Sequence, residues 1–60
     1  MKYKATYVIE NVYSQHHTFE LRSINDDRAV IKAKHLLDKM SKKTGRKHLL
    51  IGLDRLGKGV

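Results

Sequence analysis

The fold is decided by residues 25–45, whose sequence is NDDRAVIKAKHLLDKMSKKTG. Asn25 or Asp26 is a good N-cap, because a short polar side chain can accept a free amide proton of the first helical turn. Gly45 suits the left-handed position just past a helix C-terminus. Between them the apolar residues recur at helical spacing, which predicts a helix over residues 26–43. Its buried stripe comprises Ala29, Val30, Ala33, Leu36, Leu37 and Met40.

Alternating segments flank this helix on both sides. Residues 2–10 and 17–24 alternate apolar and polar side chains, with Val8 as an exception, and each predicts a half-buried strand. Residues 11–16 contain turn-tolerant Asn and Ser and predict the connecting turn. Residues 47–53 predict a third strand. The sequence therefore indicates an α+β domain of order β-β-α-β.

The alternation also assigns side chains to the two faces of the predicted sheet. Facing the helix we expect Tyr3, Tyr7, Ile9, Phe19, Leu21, Leu49, Ile51 and Leu53. Val8 and Leu50 are then expected on the opposite, uncovered face. One helix would pack on a three-stranded, mainly antiparallel sheet in the order 2-1-3.

The length of the chain limits its core and its number of domains. Sixty residues form one domain, 1–60, in which residues 54–60 are expected to be a loose tail. So short a chain buries about 60% of its unfolded surface, and it has no cysteine for disulfides or thiolate metal sites. Self-association is the remaining compensation, so we expect a homodimer with Val8 and Leu50 near the contact. No signal peptide or membrane span is visible, which favours a cytoplasmic location.

The charge is distributed unevenly along the chain. Residues 1–27 have a net charge of −1, whereas residues 28–60 carry ten Lys or Arg against Asp38 and Asp54 and have a net charge of +8. A concentrated positive field favours a polyanionic partner, most often a nucleic acid.

Most of this charge projects from one side of the predicted helix. The candidate binding residues are Arg28, Lys32, His35, Lys39, Lys42 and Lys43 on the helix, with Arg46 and Lys47 after it. Like charges three or four residues apart repel one another, and a face selected only for solubility would mix both signs. A Lys-rich face that is simply solvated remains the alternative interpretation. Ile31 lies within the charged arc and is either an ordinary exposed residue or an anchor for a protein contact.

The sequence offers little for catalysis or cofactors. His16 and His17 are adjacent on a predicted strand, so their side chains point to opposite faces and do not chelate one metal readily. The four glycines form neither a phosphate-binding loop nor a dinucleotide fingerprint. Asp26 and Asp27 are better explained as a helix cap than as a cation site. We expect no enzyme activity, no metal and no cofactor.

The sequence therefore predicts a small basic binding module. The leading partner is nucleic acid, contacted through phosphates with little sequence specificity, because nine lysines outnumber four arginines. One alternative is an interaction or inhibitor protein, of the kind found among phage or bacterial accessory proteins, that covers an acidic surface on a larger protein. Another is a module that sequesters a small anionic nucleotide.

Overall fold

The computed structural model describes residues 1–56 of the chain. Strand β1 spans Lys2–Ile9, strand β2 Val12–Arg22, helix α1 Asp26–Thr44 and strand β3 His48–Leu56. Strand β1 is central and pairs antiparallel with β2 on one side and with β3 on the other. The predicted β-β-α-β architecture and the 2-1-3 order are confirmed. Helix α1 covers one face and packs more over β3 than over β2.

Helix α1 begins and ends at its two capping residues. Asn25 is the N-cap, and its Oδ1 accepts a hydrogen bond from the amide of Arg28 at 2.8 Å. Gly45 has φ of 77°, and its amide donates to the carbonyl of Ser41 at 2.9 Å. A left-handed residue of this kind closes the last turn, which is why the helix stops at Thr44.

The core between helix and sheet is built largely from small residues. Tyr3, Ala5, Leu21, Ala29 and Ala33 form one buried cluster, and the three alanines have 0% exposure. Alanine has no side chain beyond Cβ, so these positions allow the helix backbone to lie close to the strands. Three further side chains pack partly buried against the cluster: Phe19, Leu50 and Leu53.

Strand β3 contains a bulge that corrects part of the sequence prediction. Thr6 pairs with Gly52 and Tyr7 with Leu50, so Ile51 is an extra residue in β3. One extra residue reverses the alternation beyond it. As a result Leu50 packs against the core cluster, whereas Leu49 and Ile51 are exposed. The prediction that Leu50 faces away from the core is wrong, and so is the expectation that Leu49 and Ile51 are covered by the helix, whereas Leu53 packs as predicted.

A second irregularity lies between β1 and β2. The register passes from Tyr7 paired with His17 to Ile9 paired with Val12, which leaves Val8 without a partner in β2. Val8 retains 5% exposure, so the prediction that it is uncovered is wrong.

The hairpin turn is also tighter than expected. It occupies residues 10–11, not 11–16, and Asn11 has φ of 72°. Asparagine tolerates this left-handed conformation better than other residues with a Cβ, so a short turn forms here without glycine. Residues 12–16 therefore belong to β2.

The first residues of the predicted loose tail, 54–56, belong to the sheet instead. Strand β3 continues to Leu56, because Lys2 at the beginning of β1 pairs with it. Residues 54–56 are therefore part of the sheet, and the rest of the predicted tail, residues 57–60, lies outside the described residues.

Candidate nucleic-acid interface

The buried stripe of α1 determines where the helical cations lie. Ala29, Ala33 and Leu37 face the sheet, which turns the cationic side of the helix towards solvent. We call this side the cationic stripe; all of its side chains are exposed, and they are Arg28, Lys32, His35, Lys39, Lys42 and Lys43. From its first to its last member the stripe extends about 22 Å, at 1.5 Å per residue. The structure thus brings the six predicted helical residues together on one surface.

The stripe is poorly neutralised by the rest of the described chain. Lys42 Nζ lies 3.6 Å from Asp38 Oδ2, an exposed helical pair that contributes about 0.3–0.5 kcal/mol. Within residues 1–56, no carboxylate lies within 4.0 Å of the cationic groups of Arg28, Lys39 or Lys43. Mutual repulsion of these groups is therefore relieved by water and salt, and an added polyanion would relieve it further.

Arg46 and Lys47 extend the positive charge beyond the helix. Both are exposed and directly follow the C-cap Gly45. Their carbonyl oxygens are used locally: Lys47 accepts from the amide of Glu10 at 2.8 Å, and Arg46 O lies 2.9 Å from Nδ1 of His48. These contacts tie the α1–β3 connection to the hairpin and leave the two side chains free to face solvent.

The N-terminal end of α1 is acidic, and its residue Asp26 is already hydrogen-bonded to other parts of the protein. Asp26 accepts a hydrogen bond from the Tyr3 hydroxyl at 2.7 Å and a second from Arg55 at 3.3 Å. The hydrogen bond from Tyr3, aided by the positive charge of Arg55, holds the pKa of Asp26 below its ordinary value against an opposing effect of desolvation. The same hydrogen bond, with desolvation and the carboxylate charge, raises the pKa of Tyr3. Asp26 thus acts structurally and joins β1, α1 and β3.

The histidines are arranged in a way that sequence spacing does not reveal. His17 stacks on Tyr7 with ring centroids 5.3 Å apart, and the centroid of His48 lies 5.6 Å from the same ring. These residues are distant in sequence and meet only because β1 lies between β2 and β3. His16 is exposed, as expected from strand alternation, and does not join them. No group of three or more His, Asp or Glu side chains in residues 1–56 is arranged to hold a metal ion.

A shallow, open groove that the sequence prediction missed lies at the N-terminal half of the stripe. It has a volume of about 480 Å³ and lies between the β2–α1 connection and the helix. Its lining residues are Arg22, Ser23, Ile24, Arg28, Ile31, Lys32 and His35. The sequence predicts Ile31 as an apolar residue among charges, but it places Ile24 in a strand over residues 17–24, whereas β2 ends at Arg22 and Ile24 lies in the connection to α1.

The chain matches no protein-family model, no curated protein and no solved structure. Helix α1 is the sole helix of residues 1–56, and it is not apolar enough to cross a membrane.

Proposed function

We propose that this protein is a non-enzymatic binding module that holds nucleic acid on the cationic stripe of α1. The observation that carries the proposal is the row of exposed cations, in which only Lys42 has a carboxylate partner within the described residues. Duplex DNA presents one negative charge about every 1.7 Å of its axis, so a stripe of this length can approach several phosphates. Neutralisation of these phosphates releases counterions, which favours association.

The composition of the stripe supports contacts to the backbone of the nucleic acid rather than to its bases. Lysine is a flexible point charge, whereas base recognition in the major groove commonly uses the planar fork of arginine. Among the Tyr and Phe side chains of residues 1–56, Tyr13, which is 56% exposed, is the one exposed residue. A single stacking residue gives little support for recognition of single strands. We therefore propose binding with little sequence specificity.

The proposal is tested by fluorescence anisotropy with a labelled DNA duplex at increasing salt. If about four phosphates are contacted, log affinity falls against log salt with a slope of about −3.6. Between 50 and 200 mM salt, affinity then falls about 100-fold. Duplexes of unrelated sequence are expected to bind equally.

Two matched double variants locate the interface. K39E/K43E removes two cations of the stripe and is expected to reduce the slope to about −1.8 and affinity at 50 mM salt at least about tenfold. K4E/K34E changes the net charge equally but spares the stripe, since Lys4 is on β1 and Lys34 lies on another side of α1. The proposal is wrong if the wild-type protein does not bind at 50 mM salt, or if the two variants bind alike.

We also propose that the protein forms a homodimer through β3, in the cytoplasm. Strand β3 is at the edge of the sheet, and its exposed Leu49 and Ile51 replace Val8 and Leu50 as the candidate contact residues. An exposed apolar edge strand readily pairs with another strand. Antiparallel pairing of two β3 strands has a two-fold axis perpendicular to the sheet, so both helices would lie on one face and present two stripes to one polyanion. The absence of cysteine supports a reducing compartment.

Sedimentation velocity tests the dimer. The wild-type protein is expected to sediment as a dimer, I51K as a monomer, and T18K, on the other edge strand, as a dimer again. A wild-type monomer of 7.0 kDa in concentrated solution would remove this part of the proposal without affecting the DNA titration.

A further inference from the structure

The groove beside the stripe has an apolar floor that nucleic acid does not require. Ile24 and Ile31 are 76% and 63% exposed, and they are the two most exposed large apolar side chains in residues 1–56. They line one depression although Ile24 precedes the helix and Ile31 lies in its second turn. Two adjacent aliphatic side chains at this level of exposure gain free energy when a partner covers them.

The walls of the groove are cationic. Arg22, Arg28 and Lys32 line it together with His35, and no acidic residue does so. Lys32 Nζ donates a hydrogen bond to the carbonyl oxygen of Arg22 at 2.9 Å, which links the end of β2 to the helix. Neither arginine takes part in an ion pair within the described residues.

We propose that this groove docks a short acidic amphipathic segment of another protein, a function beyond the proposed nucleic-acid binding. Aliphatic side chains of the segment would cover Ile24 and Ile31, and its carboxylates would pair with Arg22 and Arg28. Arginine matches a carboxylate with two parallel hydrogen bonds, which gives orientation as well as attraction. An amphipathic helix laid in an apolar groove is a common form of such recognition.

The chemistry of the floor favours a protein segment over a nucleobase. Bases stack best on the rings of Phe, Tyr or Trp, and none of these residue types lines this groove, whose apolar part consists of two isoleucines. Aliphatic floors with a charged rim are typical of the centre and edge of a protein interface. The charge complementarity specifies the partner: a basic or neutral segment would leave the arginines unpaired or repelled.

Methyl NMR provides a direct test because the chain has only four isoleucines, Ile9, Ile24, Ile31 and Ile51. The probe is a synthetic helical peptide with leucine at positions i, i+3, i+4 and i+7 and glutamate elsewhere. We expect saturable shifts of the Ile24 and Ile31 methyl signals while Ile9 and Ile51 stay constant. Control peptides replace every leucine with serine or every glutamate with glutamine, and both are expected to bind at least about tenfold more weakly.

Arg28, Lys32 and His35 belong both to the groove and to the cationic stripe, so the variants are placed at residues that belong to only one of the two surfaces. Because Arg22, Ile24 and Ile31 are exposed, I31S and R22Q are expected to retain the fold, as judged by their amide spectra. Each variant should bind the peptide at least about tenfold more weakly than the wild-type protein does. I31S should bind duplex DNA as tightly as the wild-type protein. K39E/K43E should bind duplex DNA more weakly and keep its affinity for the peptide. The two proposals can therefore fail independently of each other.

Three results would overturn the docking proposal. The first is an absence of shifts at Ile24 and Ile31, or equal shifts with the glutamine peptide. The second is a peptide response at Ile51, which would place binding at the β3 edge. The third is that a single-stranded oligonucleotide, and not the peptide, moves the Ile24 and Ile31 signals.

Discussion

The two ends of the sheet differ in register, although the same three strands form both. At one end, Lys2 to Thr6 of β1 pair with β2 and β3 without interruption. At the other end, beyond Thr6, both ladders shift: Ile51 is extra in β3, and Val8 has no partner in β2. Tyr3 and Ala5 of the regular end are buried as alternation predicts, whereas Val8, Leu49 and Leu50 of the irregular end are not placed as it predicts.

This difference shows how far a two-residue period can be trusted. Alternation assigns a side chain to a face only as long as the register is unbroken. Both ends are nevertheless closed by specific contacts to α1. The regular end has the hydrogen bond from Tyr3 to Asp26, and at the irregular end the amide of His48 donates to Ser41 Oγ at 2.9 Å. A shifted register therefore does not imply that this end of the sheet packs loosely on α1. The contribution of each end to stability can be tested by substitution.

The largest effect is expected from truncation of Leu37, which anchors the helix and is 2% exposed. L37A should lower the free energy of unfolding by about 2–5 kcal/mol, because it removes buried methyl groups and leaves a cavity. This is a large part of the stability of so small a domain. Thermal and urea denaturation measure it, and I31A, an exposed position on the same helix, should change stability by about 0.5 kcal/mol or less. An unchanged melting temperature for L37A would mean that the helix face is misassigned.

The next effect compares the neighbours Leu50 and Leu49. L50A should lower the free energy of unfolding by about 2 kcal/mol, since Leu50 packs against the core cluster. L49A should lower it by less than half as much, because Leu49 is already 40% exposed. Urea denaturation of both variants gives the order directly. The opposite order would restore the face assignment made from alternation alone.

A smaller effect is expected from deletion of the bulge residue itself. Without Ile51, Leu50 can still pair with Tyr7 and Gly52 with Thr6 in a continuous ladder, so deletion should change stability by about 1 kcal/mol or less. Deletion of Leu53, within the regular end, should abolish the fold because it turns the following residues to the wrong faces. Amide spectra and melting curves distinguish the two. Equal damage by both deletions would show that the bulge is required rather than tolerated.

The smallest effect concerns pH at the regular end. The lowered pKa of Asp26 stabilises the fold above its ordinary value of 3.8, and this contribution is lost as pH falls through the lowered value. The raised pKa of Tyr3 stabilises the fold below 10.0, and this contribution is lost as pH rises beyond that value. Y3F should therefore raise the pKa of Asp26 towards its ordinary value, measured by carboxyl-carbon NMR. Y13F, at an exposed site, should leave it unchanged; an equal response of both variants would contradict the assignment.

The sequence predicted those features that depend on neighbours along the chain. The helix over residues 26–43 was predicted within one residue, because caps and a helical period are local signals. The exposure of the cationic stripe followed from the same period. The strand order followed from the preference for antiparallel neighbours.

The features that were missed depend on contacts between distant segments. The bulge at Ile51 is defined only by its pairing with β1, and the turn at Asn11 lacks the glycine that usually marks a tight hairpin. The groove at Ile24 requires the path of the β2–α1 connection. His17 and His48 meet across Tyr7 only once all three strands are in place.

The position of β1 between β2 and β3 also determines the order in which the protein can fold. The β1–β2 hairpin is local and can form in about 1–10 μs, but its second neighbour, β3, must first be brought back across the whole helix. Closure of such a long loop slows folding relative to helical proteins of similar size. Until β3 docks, the inner edge of β1 is unpaired and able to capture a strand from another molecule. The yield of refolded protein should therefore decrease as the protein concentration during refolding increases, although the stability of the folded chain is the same.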